Sequence, residues 1–86
     1  ISPKSKLSMQ RHFKRSEHWY VLKGSCDVLT DGHAGLQTVT LNACKQGYDI
    51  GKEVWHQGIN NHDEPCHILE VQYGEECTED DIERKE

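Results

Sequence analysis

Short runs of apolar, aromatic and β-branched residues, broken by glycine and polar turns, divide this chain into strands. The clearest is Glu17–Lys23, Glu-His-Trp-Tyr-Val-Leu-Lys, in which Glu17, Trp19 and Val21 alternate with their neighbours. A strand sends those three side chains to one face. Leu7–His12 predicts a strand entering before it. Gly24-Ser25 predicts a tight turn into a strand over Cys26–Thr30. Asp31–Gly35 has hairpin-loop chemistry, and Gln37–Leu41 returns as the next strand. A polar loop over Asn42–Gly47 follows, then short strands Tyr48–Ile50 and Val54–Ile59 around a turn at Gly51. Asn60–Pro65 is a turn, and Cys66–Tyr73 is the last strong strand. Thr78-x-x-Asp81 resembles a capping box with Asp in the usual Glu place, which predicts a short helix over Thr78–Glu86. Many short strands without a long amphipathic helix mean an all-β antiparallel barrel or sandwich.

The same alternation gathers chemistry. Gln10 and His12, two residues apart, leave one face of the entering strand, and Glu17 follows on the adjoining one. His56 lies within the later run Val54–Ile59. Two imidazoles, a carboxylate and an amide oxygen make a mixed nitrogen and oxygen donor set. Such a set suits Zn²⁺, Mn²⁺, Fe²⁺, Co²⁺ or Ni²⁺ better than Ca²⁺ or Mg²⁺. With a single carboxylate, a zinc site can keep positions open for a substrate oxygen. Singly, each residue reads as an ordinary polar strand position; the joint pattern carries the metal reading.

Composition narrows the partners. The chain has 86 residues, enough for one small domain over 1–86, and only 34% of them are hydrophobic. So lean a core implies a barrel with a polar pocket inside, or a protomer that buries more surface in an oligomer; a homodimer is expected. A net charge of -5 argues against nucleic acid as a partner. Lys4, Lys6, Arg11, Lys14 and Arg15 all precede the first acid, whereas the end from Glu75 is acidic apart from Arg84 and Lys85. No apolar run approaches the ~20 residues of a membrane helix, and no signal-peptide pattern opens the chain. Cys26, Cys44, Cys66 and Cys77 form no Cys-x-x-Cys pair, and they read as reduced thiols, the first three in or beside strands. A cytoplasmic protein is expected.

Gln10-x-His12, Glu17, Gly24 and then His56 with Asn60 beyond it resemble the two signature motifs of the cupin barrel, with Gln10 where the first His usually stands. Ser8-Met9-Gln10-Arg11-His12, Arg15-Ser16-Glu17-His18-Trp19, Glu70-Val71-Gln72-Tyr73-Gly74 and Glu79-Asp80-Asp81-Ile82 with Arg84 narrow this further. Together they resemble the C-terminal cupin of type II phosphomannose isomerases, a domain often fused behind a mannose-1-phosphate guanylyltransferase. The resemblance implies a single all-β cupin (double-stranded β-helix, jelly-roll), shortened at its N-terminus, as a fragment or naturally. It implies a metal held by Gln10, His12, Glu17 and His56, most readily zinc. The implied reaction interconverts mannose 6-phosphate and fructose 6-phosphate through an enediol. Glu70 and His18 are the candidates for the base, and Arg15 and Arg84 for gripping the phosphate. Where the second motif usually has Pro-x-Gly, this chain has Gly51-Lys52-Glu53. Two other classes stay open: a non-catalytic metal- and sugar-binding module, and an iron oxygenase built on His12, Glu17 and His56. Nucleotidyl transfer is not expected of these residues.

Overall fold

Alternation sorts the side chains between two antiparallel sheets in the computed structural model, which describes residues 1–85. The strands are β1 (Ser5–Lys6), β2 (Met9–Arg11), β3 (Arg15–Lys23), β4 (Ser25–Gly32), β5 (Gly35–Asn42), β6 (Tyr48–Ile50), β7 (Trp55–Asn60), β8 (His67–Gly74) and β9 (Glu83–Lys85). One sheet runs β5-β4-β7-β2-β9, with β1 also paired to β7; the other runs β6-β3-β8. Arg15, Glu17, Trp19 and Val21 of β3 are buried between them, and their neighbours in sequence are half-exposed. From the facing sheet, β4 and β7 send in Cys26, Val28, Thr30, His56 and Asn60 on the same two-residue period.

The apolar core is small: Trp19, Val21, Cys26, Val28, Leu41, Ile50 and Cys66. Its largest member, Trp19, crosses to the opposite sheet and stands on Gly58. A Cβ at Gly58 would lie 3.1 Å from the indole Cζ3 and 2.9 Å from Ile1 Cδ1, so a side chain there would compete with both. Gly24, at φ +82°, turns β3 into β4, and a Cβ there would press on Pro65 O at 2.8 Å. Buried Asn60 ties the chain's start to the β7–β8 turn. Its Nδ2 donates to Ile1 O and Glu64 O at 3.0 and 2.8 Å, and its Oδ1 accepts from His62 N at 2.9 Å.

The expected strands are present, with two differences. The strand expected over Leu7–His12 is shorter, β2 at Met9–Arg11; β1 comes before that range, and both lie on β7, separated at Leu7-Ser8, where Leu7 N still reaches Gly58 O at 2.9 Å. The expected helix over Thr78–Glu86 does not form. Asp81 turns its carboxylate away from a local cap and accepts from Phe13 N and Lys14 N at 2.9 and 2.8 Å. The chain then enters the sheet as β9 beside β2, and Glu86 lies outside the described residues. Non-local acceptance outweighs the capping pattern.

That pairing also accounts for the uneven charge. The basic start and the acidic end meet in space, with Arg11 Nη2 2.8 Å from Glu83 and Lys14 Nζ 3.1 Å from Glu76. All four cysteines are free. Cys26 and Cys66 are in the core, whereas Cys44 lies exposed in the turn after β5, at φ +59°, and Cys77 is exposed. Among the described residues no helix is long and apolar enough to cross a membrane.

Candidate metal centre

Strand pairing decides which side chains can meet. On one sheet, Gln10 of β2 is directly opposite His56 of β7, which is opposite Thr30 of β4, while Arg84 of β9 is opposite Gln10. Residues opposed in a ladder share a face, so Arg84, Gln10, His56 and Thr30 form one inward row. On the other sheet, Glu17 is opposite Gln72 and Ile50, and Trp19 is opposite Glu70. His12 follows β2 directly. Each sheet therefore brings a polar row toward the other, and His12, Glu17 and His56 meet with their ligating atoms all within 4.8 Å of one another. All three are buried.

Backbone carbonyls fix both imidazoles. His12 Nδ1 lies 2.7 Å from Asp81 O, and His56 Nδ1 lies 3.0 Å from Val54 O. A carbonyl only accepts, so each Nδ1 carries a proton and each Nε2 of a neutral ring is an acceptor. Those two acceptors face the Glu17 carboxylate: His12 Nε2 is 3.1 Å from Oε2, and His56 Nε2 is 3.5 Å from Oε1. His56 Nε2 is buried without a hydrogen-bond partner. Buried acceptors converging in this way call for a cation between them, and the nitrogen and carboxylate donors suit a divalent transition metal. The donor set fits such an ion.

Part of the countercharge is already present. Arg15 donates from Nε and Nη2 to Glu17 Oε2 at 3.1 and 3.0 Å, and from Nη1 to Thr78 O at 3.0 Å. Its Nη2 is also 3.3 Å from His12 Nε2. Trp19 Nε1 donates to the other carboxylate oxygen, Oε1, at 2.9 Å. Burial pushes the Glu17 carboxyl up. The His56 contact, the Trp19 hydrogen bond and the positive charge that His56 and His12 carry when protonated outweigh it and bring the pKa down to about 2. The carboxylate is charged and ready for a cation.

The turn that leads to His56 needs no Pro-x-Gly. Gly51–Val54 closes with Val54 N donating to Gly51 O at 3.3 Å, and Glu53 takes a left-handed φ of +63°. Glu53 N then donates to His12 O at 2.6 Å, so this turn clamps one imidazole-bearing segment against the other.

This arrangement stands in a chain whose residues 1–86 match, end to end, the family described as mannose-6-phosphate isomerase C-terminal. The chain belongs to that family. It is 37% identical over 86 residues to the alginate biosynthesis protein AlgA of Pseudomonas aeruginosa, and 36% identical over 84 residues to a mannose-1-phosphate guanylyltransferase of Klebsiella pneumoniae. The match covers 100% and 98% of this chain but only 17% of each relative, so the chain spans about a sixth of the length of the curated proteins it matches. Among solved structures, the WlaRB TDP-quinovose 3,4-ketoisomerase of Campylobacter jejuni superposes with a TM-score of 0.84 at 19% identity, over 99% of this chain and 64% of that one. Recombinant oxalate oxidase gives 0.78 at 17% identity, over 86% of this chain and 38% of that one. At such identities the likeness shows the fold, and the fold is a cupin.

In this mannose-6-phosphate isomerase C-terminal domain the other expected site residues separate. Gln10 lies in the ladder beside His56, half-buried on the inward row. Arg84 shares that row but is exposed. Glu70 is inward with Trp19 and opens to solvent. Partial burial of its carboxyl raises its pKa, as does the charge of Glu17, against the lowering pull of His56, Arg15 and a hydrogen bond from Gln72. His18 is not brought to the group: the strand period turns it outward, where its Nδ1 lies 2.6 Å from Asp49. The three nitrogens of Arg15 are taken by Glu17 and Thr78, which makes it the carboxylate's partner rather than a free grip for phosphate. Three contributors were absent from the sequence reading: the Trp19 N–H, and the carbonyls of Val54 and Asp81. The alternation of Glu17 with Trp19 could have indicated the first. Main-chain acceptors leave no trace in residue type.

Proposed function

We propose that this domain is a metal-dependent aldose–ketose isomerase that interconverts mannose 6-phosphate and fructose 6-phosphate by proton transfer between C1 and C2. The observation that carries the reading is the buried convergence of His12, Glu17 and His56, in a chain that matches the isomerase family over its whole length. A divalent transition ion, zinc first and manganese, iron, cobalt or nickel after it, would supply Lewis-acid stabilisation of the charge that builds as the C–H proton leaves. His12, Glu17 and His56 hold that ion, with the Gln10 amide oxygen as the fourth donor. Glu70 is the base in this reading. Its raised pKa suits a carboxyl that takes a proton from one carbon and returns it to the next. Arg84, the exposed cation on the Gln10 row, receives the phosphate. The relatives named for alginate biosynthesis and for mannose-1-phosphate guanylyltransferase support a mannose phosphate as the substrate class. The same reading has a cytoplasmic homodimer acting on a small molecule, with neither nucleic acid nor membrane as partner.

Solvent exchange tests it. Zinc-loaded protein in D₂O should place deuterium in recovered mannose 6-phosphate even when net turnover is small. Chelation should abolish the exchange, and Glu70→Gln should lower it ~100-fold or more, in the range of a lost general base. A folded, zinc-loaded protein that binds the sugar phosphate yet incorporates no deuterium over hours would sink the isomerase reading. A non-catalytic metal- and sugar-binding module would then stand. Arg15 is committed to Glu17 and Thr78 rather than free to grip a phosphate, which favours that second reading.

A further inference from the structure

The stretch Glu79-Asp80-Asp81-Ile82 carried part of the family resemblance, yet the metal group and the isomerase chemistry use none of its side chains. Glu79 and Asp80 are exposed, whereas Asp81 is half-buried. It lies against residues 12–14, which cross from β2 on one sheet to β3 on the other. His12 opens that crossing, and Glu17 stands shortly beyond its end. The path of the crossing therefore sets how His12 and Glu17 face one another.

A backbone that leaves one sheet for the other has no ladder neighbour, so its amides must find other acceptors. Here a single turn supplies them. The turn over 78–81 closes with Asp81 N donating to Thr78 O at 3.3 Å. Each residue from His12 to Arg15 then gives it one hydrogen bond. His12 donates from Nδ1 to Asp81 O at 2.7 Å. Phe13 N reaches Asp81 Oδ1 at 2.9 Å, and Lys14 N reaches Oδ2 at 2.8 Å. Arg15 Nη1 donates to Thr78 O at 3.0 Å. From the other direction, Lys14 O accepts from Glu75 N and Glu76 N at 2.9 and 3.3 Å.

We propose that Asp81 is a positioning residue of the metal centre. Its carboxylate clips residues 13 and 14 to the turn, and this keeps the Asp81 carbonyl on the His12 ring and the Thr78 carbonyl on Arg15. A carbonyl orients a ring only as firmly as the carbonyl itself is held. The hold here is of the stronger kind, one charged acceptor spread over two successive amides. Because carboxylate and carbonyl belong to one residue, they move together, and a clip that opens also releases His12. Coupling of this sort is reciprocal: the affinity that the ion gains from a closed clip equals the closure that the clip gains from a bound ion. This positioning role rests on the metal reading and does not depend on isomerase chemistry, since its test measures no turnover.

Zinc titration of the untagged protein against a chromophoric chelator, together with amide hydrogen exchange, tests it. Asp81→Ala should weaken zinc binding ~10–100-fold, the range for losing an outer partner of a metal ligand. Asp81→Asn keeps one oxygen and turns an NH₂ toward the other amide, so its affinity should fall between that variant and the parent. Asp80→Ala should bind as the parent does, because Asp80 is exposed and meets Ile82 N through its main-chain oxygen, at 3.0 Å. In the parent, saturating zinc should slow exchange at the Phe13 and Lys14 amides. It should leave Lys45, in the turn held by Val21 O at the far end of β3, exchanging as before. A carboxylate that merely ties the fold together would lower the melting temperature of Asp81→Ala and leave its zinc affinity at the parent value. That result overturns the proposal, as do Phe13 and Lys14 amides indifferent to zinc. Should Asp81→Ala fail to fold, exchange in the parent decides. A parent that takes up no zinc overturns the metal reading and this proposal together, whereas an unaffected Asp81→Ala in a zinc-binding parent overturns this proposal alone.

Discussion

Arg15 and Glu17 are two residues apart on one strand, and their ion pair is the most consequential contact in the site. Both are buried, so the pair lacks the solvent screening that makes surface pairs weak. The guanidinium and a metal ion would draw on the same Glu17 oxygen, Oε2. Arg15→Met should therefore separate two effects. Without metal it strands a buried carboxylate, which costs about 3–5 kcal/mol. With metal the ion takes over the countercharge, and the loss shrinks. Thermal melts in chelator and in excess zinc should show a larger zinc-induced rise for the variant than for the parent; equal rises would refute the competition. This pair also marks how far residue-level reading reaches. His12, Glu17 and His56 were legible because their joint spacing resembles the cupin motifs, whereas strand parity by itself put only Gln10 and His12 on one face. The role of Arg15 was not, since residue type does not say whether an arginine turns to a phosphate or to the carboxylate beside it. Nor could sequence show that two carbonyls orient the imidazoles.

Most elements follow from their sequences because each is a short run with its own turn chemistry. The exception at Thr78–Glu86 has a specific reason: the carboxylate expected to cap a helix finds two free main-chain amides at Phe13 and Lys14, 67 or more residues away. Local patterns cannot report a partner that distant. A second non-local constraint sits within β7, where Gly58 admits Trp19 between the sheets. Read as sequence, a glycine in a strand is only a weak spot. Here it is the floor beneath the indole that donates to Glu17 and packs edge-on to His56, with ring centroids 5.6 Å apart. Gly58→Val should overpack this contact and destabilise the fold by about 1–3 kcal/mol. Because Trp19 must shift, zinc affinity should fall as well. Denaturant melts and zinc titration check the two effects together; a variant as stable and as tight as the parent would remove Gly58 from the account.

At the scale of the whole molecule, seven buried apolar residues among those described form a thin core, and polar contacts between the first and last strands supplement it. Two of the seven are cysteines, which gives a direct probe of how firmly the sheets stay closed. The Cys26 thiol is pushed up to about 12, first by burial and next by the neighbouring Cys66, so it is un-ionised and unreactive while the sandwich holds. Alkylation of native protein without reductant should modify Cys44 and Cys77 promptly, with Cys26 and Cys66 following only as the protein opens. Intact mass should read two adducts early and four after denaturation. Four adducts at once would mean that the sheets part readily. One contact bears on a different time in the molecule's life. The carbonyl that orients the His12 ring belongs to Asp81, synthesised 69 residues after it. Until that late segment has emerged and folded back beside β2, the imidazole has no fixed tautomer and the acceptors do not converge. If the three side chains hold an ion, a nascent chain stalled before residue 81 should take up less zinc than the same chain released, which a zinc titration of the two would show.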